Sequence, residues 1–151
     1  MSDHRLEIEG YRIATDRAYH PDTHVWVERL AGGTVRLGLD PLGLETMGTL
    51  AQLALAAAGT VVERGEPFGT LEAEKFVGPL ESPLSGSVVA VNDAVVDEPR
   101  FVHDDPLAAW LVELAPADLD AEASALVAGD DIAAWFAAKV ADYRLKGVLA
   151  E

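Results

Sequence analysis

Lys75, with Glu72 three residues before it and Glu74 immediately before it, is the group in this chain best placed for chemistry. A lysine amine held in water can be reached by a modifying enzyme, although a lysine at such a place most often serves solubility. The other candidates are weaker. His20 and His24 are four apart, but Pro21 lies between them and prevents a helical ligand pair, and His4 and His103 have no neighbours suited to a metal. Asp104-Asp105 and Asp130-Asp131 read as loop and helix-cap carboxylates. Gly32-Gly33 and the Gly-Thr steps read as turns, without the lysine and serine of a phosphate loop. No nucleophile sits with a base. The chain therefore reads as non-catalytic, with no metal site.

The elements around Lys75 must hold its backbone still while leaving its side chain in solvent. Gly65, Pro67 and Gly69 punctuate the approach, and Pro79, Pro83 and Gly86 punctuate the exit, so each apolar run is too short for a helix. A β-hairpin with Lys75 near its tip meets both requirements. Turn glycines followed by a β-branched or small residue recur at Gly33-Thr34, Gly48-Thr49, Gly59-Thr60, Gly69-Thr70 and Gly86-Ser87. Short strands at that spacing predict a mainly β fold, a small sandwich or flattened barrel.

Further strands are expected over Tyr11–Ile13, His24–Glu28, Thr34–Leu37 and Trp110–Leu114, with Met1–Gly10 polar and loosely attached. Asp40 and Pro41 mark a brief helix ending by Gly48. Thr49–Ala58 is ambiguous: its Ala and Leu content gives helical propensity, and a strand is expected there only from the family resemblance described below. Two helices are expected at the C-terminal end, one over Asp118–Ala128. The second starts near Asp130, buries a stripe of Ile132, Trp135, Phe136, Val140 and Tyr143, and stops at Gly147. That stripe reads as a packing device.

Composition narrows the partners. The chain has 151 residues, half of them hydrophobic, enough for one folded unit with a real core. Eleven basic against 26 acidic residues give a net charge of −15, which disfavours nucleic acid and anionic membranes. The longest apolar run, Leu53 to Ala58, is far short of a bilayer span. Met1–Arg5 lacks the apolar core of a signal peptide, so a cytoplasmic protein is expected. There is no cysteine, so a thiol needed for any sulfur chemistry must come from a partner.

The segment around Lys75 resembles the lipoylation segment of the glycine-cleavage H proteins. Phe68, Gly69, Leu71, Glu72, Lys75, Leu80, Ser82, Pro83, Ser85, Gly86, Val88 and Asn92 fall on its pattern without gaps. His24, Trp26 and Val27 match the family's H-E-W-V, with Val25 in place of its glutamate. The resemblance runs from about His24 to the C-terminal helix, with His103 where the family has asparagine. It implies a lipoyl hammerhead: an N-terminal extension over 1–18, the hammerhead over 19–115 and a C-terminal helical extension over 116–151. It further implies lipoate amide-linked to Lys75, with Glu72 recognised by the lipoyl-attaching enzyme and Glu74 and Gly86 contributing to the site. Lysine plus lipoyl makes an arm on the order of 14 Å from bond lengths. The cofactor supplies the chemistry and the protein the reach.

The same resemblance also suggests a departure. The family holds the ammonium of an aminomethyl cargo largely with two acids, and their places here are Val25 and Pro79, which removes the counter-charge. On that ground the chain most resembles the H-like lipoate-binding proteins of heterodisulfide-reductase-like sulfur oxidation, carrying a sulfur-bound intermediate. The partners implied are a lipoate ligase or lipoyl synthase and transferase, a dihydrolipoamide dehydrogenase-like enzyme and a heterodisulfide-reductase-like complex. The alternatives are an H protein of glycine cleavage, working with glycine decarboxylase and aminomethyltransferase, and an unmodified acidic adaptor of the same fold.

Overall fold

The computed structural model describes residues 4–149. In chain order the strands and helices are β1 (Arg5–Ile8), β2 (Tyr11–Ala14), β3 (Ala18–Tyr19), β4 (Val25–Arg29), β5 (Val35–Leu39), α1 (Pro41–Met47), β6 (Leu50–Leu55), β7 (Val61–Val62), β8 (Pro67–Ala73), β9 (Val77–Glu81), β10 (Gly86–Val91), α2 (Asp93–Asp97), α3 (Phe101–Asp104), β11 (Val112–Pro116), α4 (Leu119–Ala123) and α5 (Asp131–Leu145). They form a two-stranded sheet β1-β2, a six-stranded sheet β3-β4-β5-β11-β10-β7 and a three-stranded sheet β6-β8-β9.

Strand periodicity explains how these sheets stack. Val25 and Val27 of β4, Val35, Leu37 and Leu39 of β5 and Leu114 of β11 meet Leu50, Leu53, Phe68, Leu71 and Leu80 of the three-stranded sheet in one buried cluster. The turn spacing led us to expect this β-sandwich, and it has the arrangement of the lipoyl hammerhead that the resemblance implied. Thr49–Ala58 supplies the strand β6 despite its Ala and Leu content, because pairing with β8 from Leu50↔Ala73 to Leu55↔Gly69 outweighs propensity.

Trp26, between the two valines, points the other way. It joins a second cluster with Ile13, Ala14, Tyr19, Leu42, Ile132, Phe136 and Val140, so β4 is buried on both faces. The indole N–H donates to the carbonyls of Leu39 and Pro106, both at 3.1 Å, and Gly38 opposite it leaves the room a Cβ would fill.

Three expectations need correction. The N-terminal stretch is not loosely attached from its fifth residue onward, since Arg5–Ile8 pairs with Tyr11–Ala14 from Arg5↔Ala14 to Ile8↔Tyr11. Met1–Asp3 lie outside the described residues. The last strand begins at Val112 rather than Trp110. The helix expected over Asp118–Ala128 closes at Ala123, because Val127 is drawn into an isolated bridge with Tyr19 (N–O 2.8 and 2.9 Å). The short helices α2 and α3 were not anticipated.

Candidate functional site

Alternation along β8 turns Leu71 and Ala73 inward, Phe68 joins them at a register shift between Pro67 and Gly69, and Glu72 is left exposed on the outer face, opposite Val77 and Gln52. The Ala73 amide donates to the Phe76 carbonyl at 2.8 Å, leaving Glu74 and Lys75 as the loop. Both side chains are exposed. The sequence thus predicted the tip correctly, and what anchors it is main chain. The Lys75 amide donates to the Met47 carbonyl (2.8 Å) and the Glu74 amide to the Thr49 carbonyl (3.1 Å).

Return contacts complete the clamp. The Thr49 amide donates to Glu74 Oε1 at 2.7 Å, and that bond is the leading cause holding the Glu74 carboxyl below its ordinary value. Between Met47 and Thr49, Gly48 takes φ 82°, and a Cβ there would lie 2.9 Å from Glu74 Cβ. Glycine is needed both for the conformation and for the approach. His103, in the family's asparagine position, accepts the Leu50 amide at 3.0 Å through Nε2 and so steadies the start of β6.

Beside the tip lies a cleft of ≈ 560 Å³, whose lining includes Lys75, Val25, Met47, Phe76, Pro79 and Leu80. That volume is in the range of small-molecule sites. His24, Tyr143, Lys146 and Val148 line it as well. The sequence reading gave none of these four a role at Lys75.

His24 is buried and takes φ 66°, an uncommon conformation for a side chain-bearing residue. Its Nδ1 is 3.0 Å from Asp40 Oδ2 and its Nε2 is 2.7 Å from the Tyr143 hydroxyl. Asp40, fully buried, also caps α1 by accepting the Gly43 amide on Oδ1 at 2.8 Å. A Cβ on Gly43 would meet His24 Cβ at 2.5 Å, so glycine lets the helix lie against the histidine. Burial first, then the charge of Asp40, pushes the Tyr143 hydroxyl upward, so it stays protonated.

The remaining candidates fall elsewhere. Gly86 starts β10 in the six-stranded sheet, where a Cβ would collide with the Ala115 carbonyl, so its observed role is close strand packing. His20 Nδ1 accepts the amides of Asp22 and Thr23, both at 3.1 Å, which occupies it in a turn; burial lowers its basicity. Among the described residues no cluster of three or more His, Asp or Glu could hold a metal. No helix among them is long and apolar enough to cross a membrane.

A sandwich that clamps one exposed lysine by its backbone, beside a mostly apolar cleft, defines a carrier domain. Comparison with known proteins identifies the family: residues 17–139 match the glycine cleavage H-protein family, and the chain belongs to it. It is 33% identical over 122 residues to a probable glycine cleavage system H protein of Pyrococcus furiosus, covering 81% of this chain and 90% of that one. It is 37% identical over 111 residues to a glycine cleavage system H protein of Aquifex aeolicus, with 73% and 69% covered. The crystal structure of a glycine cleavage system H protein from Mycobacterium marinum superposes with a TM-score of 0.65 at 36% identity, covering 70% of this chain and 87% of that chain. Proteins of this family are non-catalytic carriers that bear lipoate covalently on a lysine. The site fits such a group, with an exposed amine, a fixed backbone and an adjoining cleft with apolar walls.

Proposed function

We propose that this chain is a lipoyl carrier of the glycine cleavage type, with Lys75 as the lipoylated residue and the region 19–115 as the carrier domain. The observation that carries the reading is the tip geometry. Main-chain bonds to Met47 and Thr49 fix the hairpin without using the Lys75 side chain. Glu72 and Glu74 present exposed carboxylates to the attaching enzyme, a lipoate ligase or a lipoyl synthase with its transferase. When bound, lipoate supplies a two-electron dithiol–disulfide couple. The chain's own residues give reach, a rigid base and a cleft.

The partners proposed are glycine decarboxylase, aminomethyltransferase and a dihydrolipoamide dehydrogenase-like enzyme, in the cytoplasm. The names of the relatives favour this assignment over the sulfur-oxidation one. A net charge of −15 would hasten encounter with basic docking patches. The sulfur reading keeps one supporting observation. Val25 and Pro79, in the positions where the resemblance places two acids, both line the Lys75 cleft and bring no counter-charge.

Two experiments decide. Intact mass after coexpression with a lipoate ligase should show one added lipoyl group, absent in Lys75→Arg; persistence of the added mass in that variant would end the reading. An unmodified wild-type chain in its native host would favour the acidic adaptor. Glycine–bicarbonate exchange with a decarboxylase separates the two cargo assignments, since activity supports glycine cleavage and its absence in fully lipoylated protein supports sulfur.

A further inference from the structure

The family match ends at residue 139, yet the Lys75 cleft is lined by Tyr143, Lys146 and Val148 from beyond it. Tyr143 is the one with a built support. Its hydroxyl meets His24 Nε2 at 2.7 Å, His24 Nδ1 meets Asp40 Oδ2 at 3.0 Å, and Asp40 is 0% exposed. The rings of His24 and Tyr143 meet edge-on, with centroids 5.5 Å apart.

With Asp40 ionised and His24 a neutral imidazole, hydrogen-bond accounting gives this chain one direction. Asp40 is a carboxylate already accepting the Gly43 amide on one oxygen, so its other oxygen accepts from His24 Nδ1–H. In the neutral imidazole Nε2 is then an acceptor, and it takes the Tyr143 hydroxyl proton. With its proton committed, the phenolic oxygen has lone pairs left to offer the cleft. Thr23, lining the same cleft, has a buried hydroxyl oxygen without a hydrogen-bond partner, so this wall has unused polar capacity. The charges on the lining are Asp22, Glu81, Lys75 and Lys146; Lys146 is paired with Asp142 at 2.9 Å and Asp22 with Lys139 at 3.3 Å.

We propose that Tyr143, oriented by His24 and Asp40, is a specificity-determining residue that accepts a hydrogen bond from an amine cargo carried on the Lys75 side chain. It supplies an acceptor where Val25 and Pro79 supply none, on the same lining as the carboxylates of Asp22 and Glu81. This inference rests on the Lys75 carrier reading, and its tests are separable from it.

The comparison is wild type against Tyr143→Phe, which removes the oxygen and keeps the ring. Both should show the same lipoyl mass. After loading with glycine and a decarboxylase, the amine-bearing mass should decay about tenfold faster in Tyr143→Phe, the loss expected of a hydrogen bond to a charged group. Equal decay overturns the proposal. Lipoylated wild type that never gains the amine-bearing mass overturns it too, while leaving the attachment site intact. Absence of lipoyl mass would instead remove the Lys75 reading. A second readout needs no arm: titration of the unmodified protein with methylammonium chloride should shift the Tyr143 and His24 side-chain NMR signals, and Tyr143→Phe should abolish the His24 shift. No shift in wild type overturns the proposal.

Discussion

Two groups of residues on the same cleft are held by opposite means. The Lys75 tip is fixed by main-chain bonds to Met47 and Thr49, so its side chain is free to be modified. Along the same lining, His24 is fixed by side chains, the buried Asp40 and the half-buried Tyr143, in a chain where each member depends on the next. The lesson is that one cleft can separate the residue that must change chemically from the residues that must not move. The tip tolerates alteration of stability-neutral atoms, whereas the hydrogen-bonded chain does not.

The sharpest way to break this contrast is Lys75→Arg. Modification should vanish completely in intact mass, while unfolding free energy stays within about 0.5 kcal/mol of wild type, as for an ordinary surface change. A large loss of stability would mean that the lysine is part of the scaffold. Asp40→Ala should do the reverse. Losing a buried helix cap and leaving His24 without its acceptor should cost roughly 2–4 kcal/mol in denaturant unfolding. Protein that still folds should still accept lipoate.

Gly48→Ala should cost about 1–3 kcal/mol, from the strained backbone and the close approach to Glu74. Amide exchange at Lys75 should quicken, since the clamp is what protects it; unchanged exchange would show that the tip holds itself. The smallest effect is a pH dependence. The Glu74 carboxyl is lowered from its ordinary 4.5, chiefly by the Thr49 amide. Its contribution is therefore present above 4.5 and lost as pH falls through the lower folded value. The Thr49 amide NMR shift should titrate with a midpoint below 4.5, and Glu74→Gln should remove that titration.

What the sequence disclosed was mostly local. The hairpin could be read from Gly69, Pro79 and alternating apolar residues, and the α1 cap from Asp40-Pro41, because both are decided by neighbours in the chain. The β1–β2 pairing was hidden because the polar Arg5–Ile8 segment gives a weak strand signal. Tyr143 was read as the end of a packing stripe. Its partner His24 is 119 positions away, a relation no periodicity expresses. Gly86 fell on the family's pattern, yet its place in the structure answers to crowding between strands.

The distance between those partners also orders events during biosynthesis. The strand pairings and main-chain tethers of the lysine hairpin, β6 and the bonds at Met47 and Thr49 included, lie within residues 47–81. Tyr143 emerges from the ribosome dozens of codons later. The residues that tether the acceptor lysine are thus synthesised before those that complete the cleft beside it.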